Sequence, residues 1–171
     1  MAISKFAIRR RIEIDAAHRI PDHRSKCFNL HGHRYVIEAE VEGELYPEGE
    51  QRGMVMDFGF LKALMMKHIH EPCDHGMILY VDDPLLPTFE DRANYNIPYP
   101  FMIGVKMYVI DAVPTAENLA HHWFEAMEFP IHNKLLGEGQ QGGLVQVCVW
   151  ETPNCCAMYP PIPGDRRNAL V

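Results

Sequence analysis

Residues 34–42 alternate with a period of two: Tyr35, Ile37, Ala39 and Val41 fall on one side, and Arg34, Glu38, Glu40 and Glu42 on the other. An extended strand with one buried and one solvated face fits that spacing, and a helix does not. The strand is expected from about His31 to Glu44, ahead of turn chemistry at Pro47-Glu48-Gly49. A strand from Phe6 to Ala16 precedes it. Ile8, Ile12 and Ile14 share one face there, and Arg9, Arg11, Glu13 and Asp15 the other, with Arg10 interrupting the apolar side. The polar stretch 17–30 between the two strands reads as a loop.

Two helices follow from cap and period signals. Asp57 is an N-cap for a helix to about His70, with Phe58, Leu61, Leu64, Met65 and Ile69 as its buried stripe and Pro72 closing it. Thr115, after Pro114, caps the second, with Glu117 favourable in the first turn. Leu119, Trp123, Ala126 and Met127 form its stripe, and Pro130 is expected just beyond its end. Lys106 to Ile110 reads as a short strand. Leu144 to Glu151 reads as the last strand, between a glycine-rich turn and a proline-rich tail. Residues 82–104 hold four prolines and no period, and read as a long irregular insertion. The order β-β-α-β-α-β predicts one α+β domain over residues 1–171: an antiparallel four-stranded sheet with two helices on one face and a tail at 160–171.

Composition narrows the function classes. With 171 residues, 47% hydrophobic and 23% charged, the chain has a globular composition that excludes disordered, collagen-like and coiled-coil classes. No apolar stretch approaches the ~20 residues that span a bilayer. The first residues run straight into a strand pattern without a signal-peptide core, so a cytoplasmic protein is expected. Five cysteines without regular spacing then read as reduced thiols. A net charge of -7 argues against a general nucleic-acid surface, and an anionic substrate would need a local basic patch.

The chemistry concentrates in Cys27-Phe28-Asn29-Leu30-His31-Gly32-His33. Alternation puts His31 and His33 on the apolar face of Tyr35, where unpaired imidazole nitrogens cost about 1–3 kcal/mol each. A shared metal satisfies both, and His18 reaches the same point if the two strands form a hairpin. Three histidines with an open fourth position describe a catalytic zinc site. The bland alternative is a His-x-His pair on a solvated strand face. Cys27 either closes the site as a fourth ligand or stands off the metal as a base or nucleophile, with Lys26 and Arg24 supplying positive charge; spacing does not separate these. Asp74-His75 is either a carboxylate–imidazole proton-transfer unit or a turn. Glu151 shares parity with Val145, Val147 and Val149, so an apolar face ends in a carboxylate. It suits a planar ligand with two adjacent N–H donors, or a salt bridge to an arginine. His68 with His70, and His121 with His122, diverge on helices and are poor joint ligands.

In order, Ala16-Ala17-His18, Cys27 with His31-Gly32-His33, Val55-Met56-Asp57-Phe58 with Leu61-Lys62, Asp74-His75, Pro114-Thr115-Ala116-Glu117-Asn118 and Glu151-Thr152-Pro153 resemble the 6-pyruvoyl-tetrahydropterin synthase / 6-carboxy-tetrahydropterin synthase family. The resemblance covers roughly residues 5–81 and 105–159. It implies a T-fold, an antiparallel sheet with two helices on one side, assembled as a homo-oligomer, commonly a hexamer of two trimers with active sites between subunits. It also implies Zn2+ on His18, His31 and His33, a catalytic base at Cys27 held off the metal, a second proton-transfer unit at Asp74 and His75, and Glu151 anchoring a pterin. Thr115 and Thr152 match positions near the ring; Lys26, Arg24 and Arg19 are candidates for the triphosphate. The three-residue gap between Cys27 and His31 looks like the carboxy-forming type. That implies 7,8-dihydroneopterin triphosphate as substrate, with 6-carboxytetrahydropterin, acetaldehyde and triphosphate as products, on the way to 7-deazaguanine (queuosine-type) nucleosides. The alternatives are the pyruvoyl-forming synthase and a non-catalytic zinc or pterin-binding module. The insertion, Cys73 and Asn154-Cys155-Cys156 depart from the family pattern.

Overall fold

A computed structural model describes residues 5–90 and 105–161. Strands β1 (Phe6–His18) and β2 (His31–Gly43) form an antiparallel pair in continuous register, from Phe6 opposite Gly43 to His18 opposite His31. Their odd–even alternation is the reason. Ile12, Ile14, Tyr35, Ile37, Ala39 and Val41 all turn inward and are nearly or wholly buried. The other face carries exposed ion pairs, Arg9 with Glu40 and Arg34 with Asp15 among them. Such pairs contribute little to stability but keep this face solvated.

The sheet has six strands in the order β4-β3-β1-β2-β5-β6 and is mixed, where the sequence predicts four antiparallel strands. Strand β3 (Gly76–Tyr80) runs parallel to β1, and β4 (Met107–Ile110) parallel to β3. β3 is short and continuously apolar, with Ile78 and Leu79 fully buried, so it shows no alternation to read. Strand β5 (Gly142–Thr152) lies antiparallel to β2, and β6 (Cys155–Tyr159) antiparallel to β5, beyond Glu151, where the sequence reading ends the last strand. A bulge where Glu40 and Val41 meet β5 leaves Val145 without a partner. Leu144 therefore turns inward beside Val147 and Val149, and Val145 is only half-buried. One extra residue inverts the parity of everything before it.

One face of the sheet is covered by two helical stretches. Helix α1 (Phe58–Met65) starts at the Asp57 cap and continues through a π-helical segment, Met66–His70, into a last turn, α2 (Glu71–Cys73). Leu61, Met65 and Ile69 are fully buried, whereas Phe58, at the cap, is exposed. A short helix α3 (Leu86–Glu90) lies within the stretch read as irregular insertion; residues 91–104 of that stretch and 162–171 of the tail fall outside the described residues. Helix α4 (Ala116–Gly137) is longer than predicted, with Pro130 inside it. Proline removes one helical hydrogen bond, but Ile131 and Leu135 beyond it are buried with Leu119, Trp123 and Met127. Each such side chain gains about 1.5–3 kcal/mol on burial, enough to carry the helix through. Among the described residues no helix is long and apolar enough to cross a membrane.

At the start of β5, Gly142 pairs with Gly43. A Cβ on Gly142 would stand 2.8 Å from Gly43 Cα and overlap the carbonyl oxygen of Glu42. Gly142→Ala should cost about 1–3 kcal/mol, because backbone and not a flexible side chain must give way; urea denaturation measures this, and an unchanged midpoint would contradict the close approach.

Candidate metal centre and flanking cavities

The register of β1 and β2 builds the site. His18 stands opposite His31, and His33 opposite Ala16, all on the inward face at one end of the strand pair. Ring centroids lie 4.5 Å apart for His18 and His31, 5.2 Å for His18 and His33, and 4.9 Å for His31 and His33. One ligating nitrogen from each ring lies within 4.8 Å of the others, so the three could hold a metal ion. Cys27 is not in this group; it is half-buried in the 3-10 turn Lys26–Phe28.

Backbone carbonyls set the tautomers. His18 Nδ1 donates to the Pro114 carbonyl at 2.7 Å, and His31 Nδ1 to that of Asn29 at 2.8 Å. Nε2 is then the unprotonated atom, open to a metal, the usual arrangement for ligating histidines. Pro114 precedes the α4 cap, so the start of that helix orients the buried ligand. The Nε2 atoms of His18 and His33 are buried without a hydrogen-bond partner. Two orphaned lone pairs turned to one place are what a cation would satisfy, and the residues fit a metal by that test. Tyr35 packs beneath, its ring edge-on to His18 at 5.7 Å and to His33 at 5.5 Å.

Glu151 also reaches this point. Its Oε1 lies 3.4 Å from His18 Nε2 and 3.8 Å from His33 Nε2. It is the extra residue at a bulge between β5 and β6, where pairing steps from Trp150 with Cys156 to Thr152 with Cys155. Bulges often re-aim a side chain beside a site. Burial pushes the His33 pKa down, and the Glu151 charge opposes it.

Asp74 and His75 are joined side chain to side chain. His75 Nδ1 lies 2.8 Å from Asp74 Oδ2, while Asp74 Oδ1 accepts from the Asp15 amide at 2.9 Å. Burial works against ionisation of Asp74, but the Asp15 amide and His75 together hold its carboxyl below the usual range. His75 has φ of 55°, a left-handed conformation uncommon outside glycine, and its side chain is 78% exposed. Lys106 Nζ donates to the Asp74 carbonyl at 2.7 Å.

Two cavities share the wall Gly32-His33-Arg34. One, of about 540 Å³, is also lined by Asp15, His75 and Lys106. The other, of about 680 Å³, is also lined by Trp150, Glu151 and Thr152. Both are of ligand size. Within one chain, His75 and Glu151 thus open onto different cavities either side of His33. Thr115 lines neither: its hydroxyl accepts from the Asn118 amide as the α4 cap, one residue from the Pro114 carbonyl that holds His18. Lys26 and Arg24 are exposed on the loop before β2. Arg19, read as a triphosphate candidate, is instead 6% exposed against Asp83. Arg34 and Lys106 carry no signal in the sequence; only the fold brings them to the cavity walls.

The family model for 6-pyruvoyl tetrahydropterin synthase matches residues 7–161. The chain belongs to this family. Among its relatives, the 6-carboxy-5,6,7,8-tetrahydropterin synthase of Rickettsia conorii is 38% identical over 146 residues, covering 85% of this chain and 94% of the relative. The synthase of the same name from Haemophilus influenzae is 29% identical over 154 residues, covering 90% and 98%. The fold is shared with a Wolinella succinogenes protein at a TM-score of 0.72, 24% identity and coverage of 91% and 97%. It is shared with Caenorhabditis elegans 6-pyruvoyl tetrahydropterin synthase at 0.61, 24% identity and coverage of 92% and 96%. The sheet with helices on one face is therefore the family's T-fold.

Burial pushes the His18 pKa down to about 4 from 6.5, and the neighbouring imidazoles act in the same direction against the Pro114 hydrogen bond. Between those values the unfolded chain binds the extra proton, so stability rises with pH there and is fully present above 6.5. The contribution is on the order of 3 kcal/mol. Metal-free protein should lose stability steadily as the pH falls through this window, and His18→Gln should flatten the slope. Parallel slopes in urea titrations of the two proteins would contradict the buried neutral imidazole.

Proposed function

We propose that this chain is a zinc-dependent 6-carboxy-5,6,7,8-tetrahydropterin synthase, a carbon–oxygen lyase acting on 7,8-dihydroneopterin triphosphate. The observation that carries the reading is the meeting of three imidazoles, two with orphaned Nε2 atoms, with a carboxylate on the wall of a ligand-sized cavity. The 38% identity to a synthase of that name supports the carboxy-forming reaction over the pyruvoyl-forming one. Zinc held by His18, His31 and His33 would supply Lewis acidity toward the hydroxyls of the substrate side chain.

The side chains divide the remaining work. Glu151 accepts the paired N–H donors of the pterin edge, with Thr152 beside it on the same cavity wall. Cys27, off the metal, removes a carbon-bound proton next to the ring. His75, oriented by Asp74, carries protons as triphosphate leaves; its exposure suits a group that completes a site against a second subunit. Cleavage of the carbon–carbon bond releases the two terminal carbons as acetaldehyde. One water is taken up, because the carboxylate needs a second oxygen. Lys26 and Arg24 lie on the loop that precedes the ligand pair and offer positive charge to the triphosphate. The protein then works as a homo-oligomer, a hexamer of two trimers, in the cytoplasm, on the route to 7-deazaguanine nucleosides.

A second reading has one observation in its favour. Glu151 Oε1, 3.4 Å from His18 Nε2, is close enough to become a fourth ligand after a small shift, and a closed site would make the chain a binding module. Purified zinc-loaded protein given 7,8-dihydroneopterin triphosphate should release one acetaldehyde per triphosphate; triphosphate without acetaldehyde would indicate the pyruvoyl-forming reaction. His31→Ala should lose the metal and at least a hundredfold in activity together. Glu151→Gln should keep the metal while weakening pterin binding about tenfold or more, the loss of a charge-assisted hydrogen-bond pair. Loss of zinc from that variant, with no turnover in the parent, would establish the binding module.

A further inference from the structure

We propose that Arg19 is a positioning residue for the turn that carries Cys27, and that Asp83 holds it there. The inference rests on the reading of Cys27 as the base. Arg19 follows the most buried histidine of the triad, and it is 6% exposed; Asp83 is 1% exposed. Charged side chains are rarely buried without a counter-charge. Here each supplies the other's: Arg19 Nε lies 3.0 Å from Asp83 Oδ2. The Nε–H is not aimed along that line, so the contact is ionic more than a directed hydrogen bond.

The guanidinium is fixed on both sides. Its carbon sits 4.8 Å from the ring centroid of Phe28, the residue after Cys27. Stacking of this kind favours arginine over lysine, because the group is planar and weakly hydrated. The backbone closes the same turn, with the Ile20 amide donating to the Cys27 carbonyl at 2.8 Å and the His23 amide to the Ile20 carbonyl at 3.1 Å. Asp83 is itself immobilised: its amide donates to the Tyr80 carbonyl at 3.0 Å, and its Oδ1 accepts from the Leu85 amide at 2.8 Å. Tyr80 ends β3, the strand that starts directly after His75. One buried ion pair therefore ties the turn of Cys27 to the strand that follows the Asp74–His75 pair, while touching neither reacting group.

Arg19→Met, Arg19→Lys and Asp83→Asn test this in the zinc-loaded protein, with kcat, KM, zinc content and the iodoacetamide alkylation rate of Cys27, resolved by peptide mass spectrometry. We expect Arg19→Met and Asp83→Asn to keep three-histidine zinc binding and a KM within about twofold, to lose about tenfold or more in kcat, and to alkylate Cys27 at least threefold faster. Arg19→Lys, which keeps the charge but not the plane, should restore part of each. A purely stabilising pair would lower the melting temperature and leave kcat and alkylation of the folded protein unchanged, and that result would overturn the proposal. Should the buried variants fail to fold, Phe28→Leu removes the exposed half of the stack and must still speed alkylation. If Cys27→Ala retains activity, the base assignment falls, and the alkylation rates alone then decide the role of Arg19.

Discussion

The site depends on the register of one antiparallel strand pair. Because His18 faces His31 and His33 follows two residues on, three imidazoles share one face at one end of the sheet. A slip of one residue would send His31 and His33 to the solvated side together with Tyr35, Ile37 and Val41. The apolar residues of the same strands forbid that slip, since they are buried under α1 and α4. Fold stability and ligand geometry are thus enforced by the same alternation.

Charge is arranged around that point in layers. Burial lowers the pKa of His18 and of His33, and backbone carbonyls from Pro114 and Asn29 occupy one nitrogen of His18 and His31, leaving Nε2 available. Carboxylates approach from two directions: Glu151 against the triad itself, and Asp74 behind His75 on the far side of His33. The wall Gly32-His33-Arg34 lies between the cavities, so within one chain Glu151 and His75 open onto different sides of His33.

Much of this is legible in the sequence, and each difference has a specific physical cause. Strands with one wet face announced themselves by alternation; β3 did not, because both its faces are covered and its apolar run is only five residues long. Strand β6 was hidden by proline and cysteine in its neighbourhood. Pro130 suggested a helix end, yet the buried stripe continues through Ile131 and Leu135, and packing outweighed one lost hydrogen bond. Parity alone puts Val145 inward with Val147 and Val149, but a bulge hands that place to Leu144. Arg19 looked like a free cation for a phosphate, whereas Asp83, sixty-four positions later, buries it.

The amino-acid order alone determined the alternation, the parity of His31 and His33 with the core, and the donor types on offer, because these are local properties of an extended chain. Tertiary structure decided which nitrogen of His18 and of His31 is free, where Glu151 points, which cavity Glu151 and His75 each face and which arginine is spent on structure. The carbonyl that orients His18 comes from Pro114, 96 residues away, and the counter-charge of Arg19 comes from beyond β3. Periodicity reports which side of a strand a residue occupies; only the packed chain reports what waits on that side.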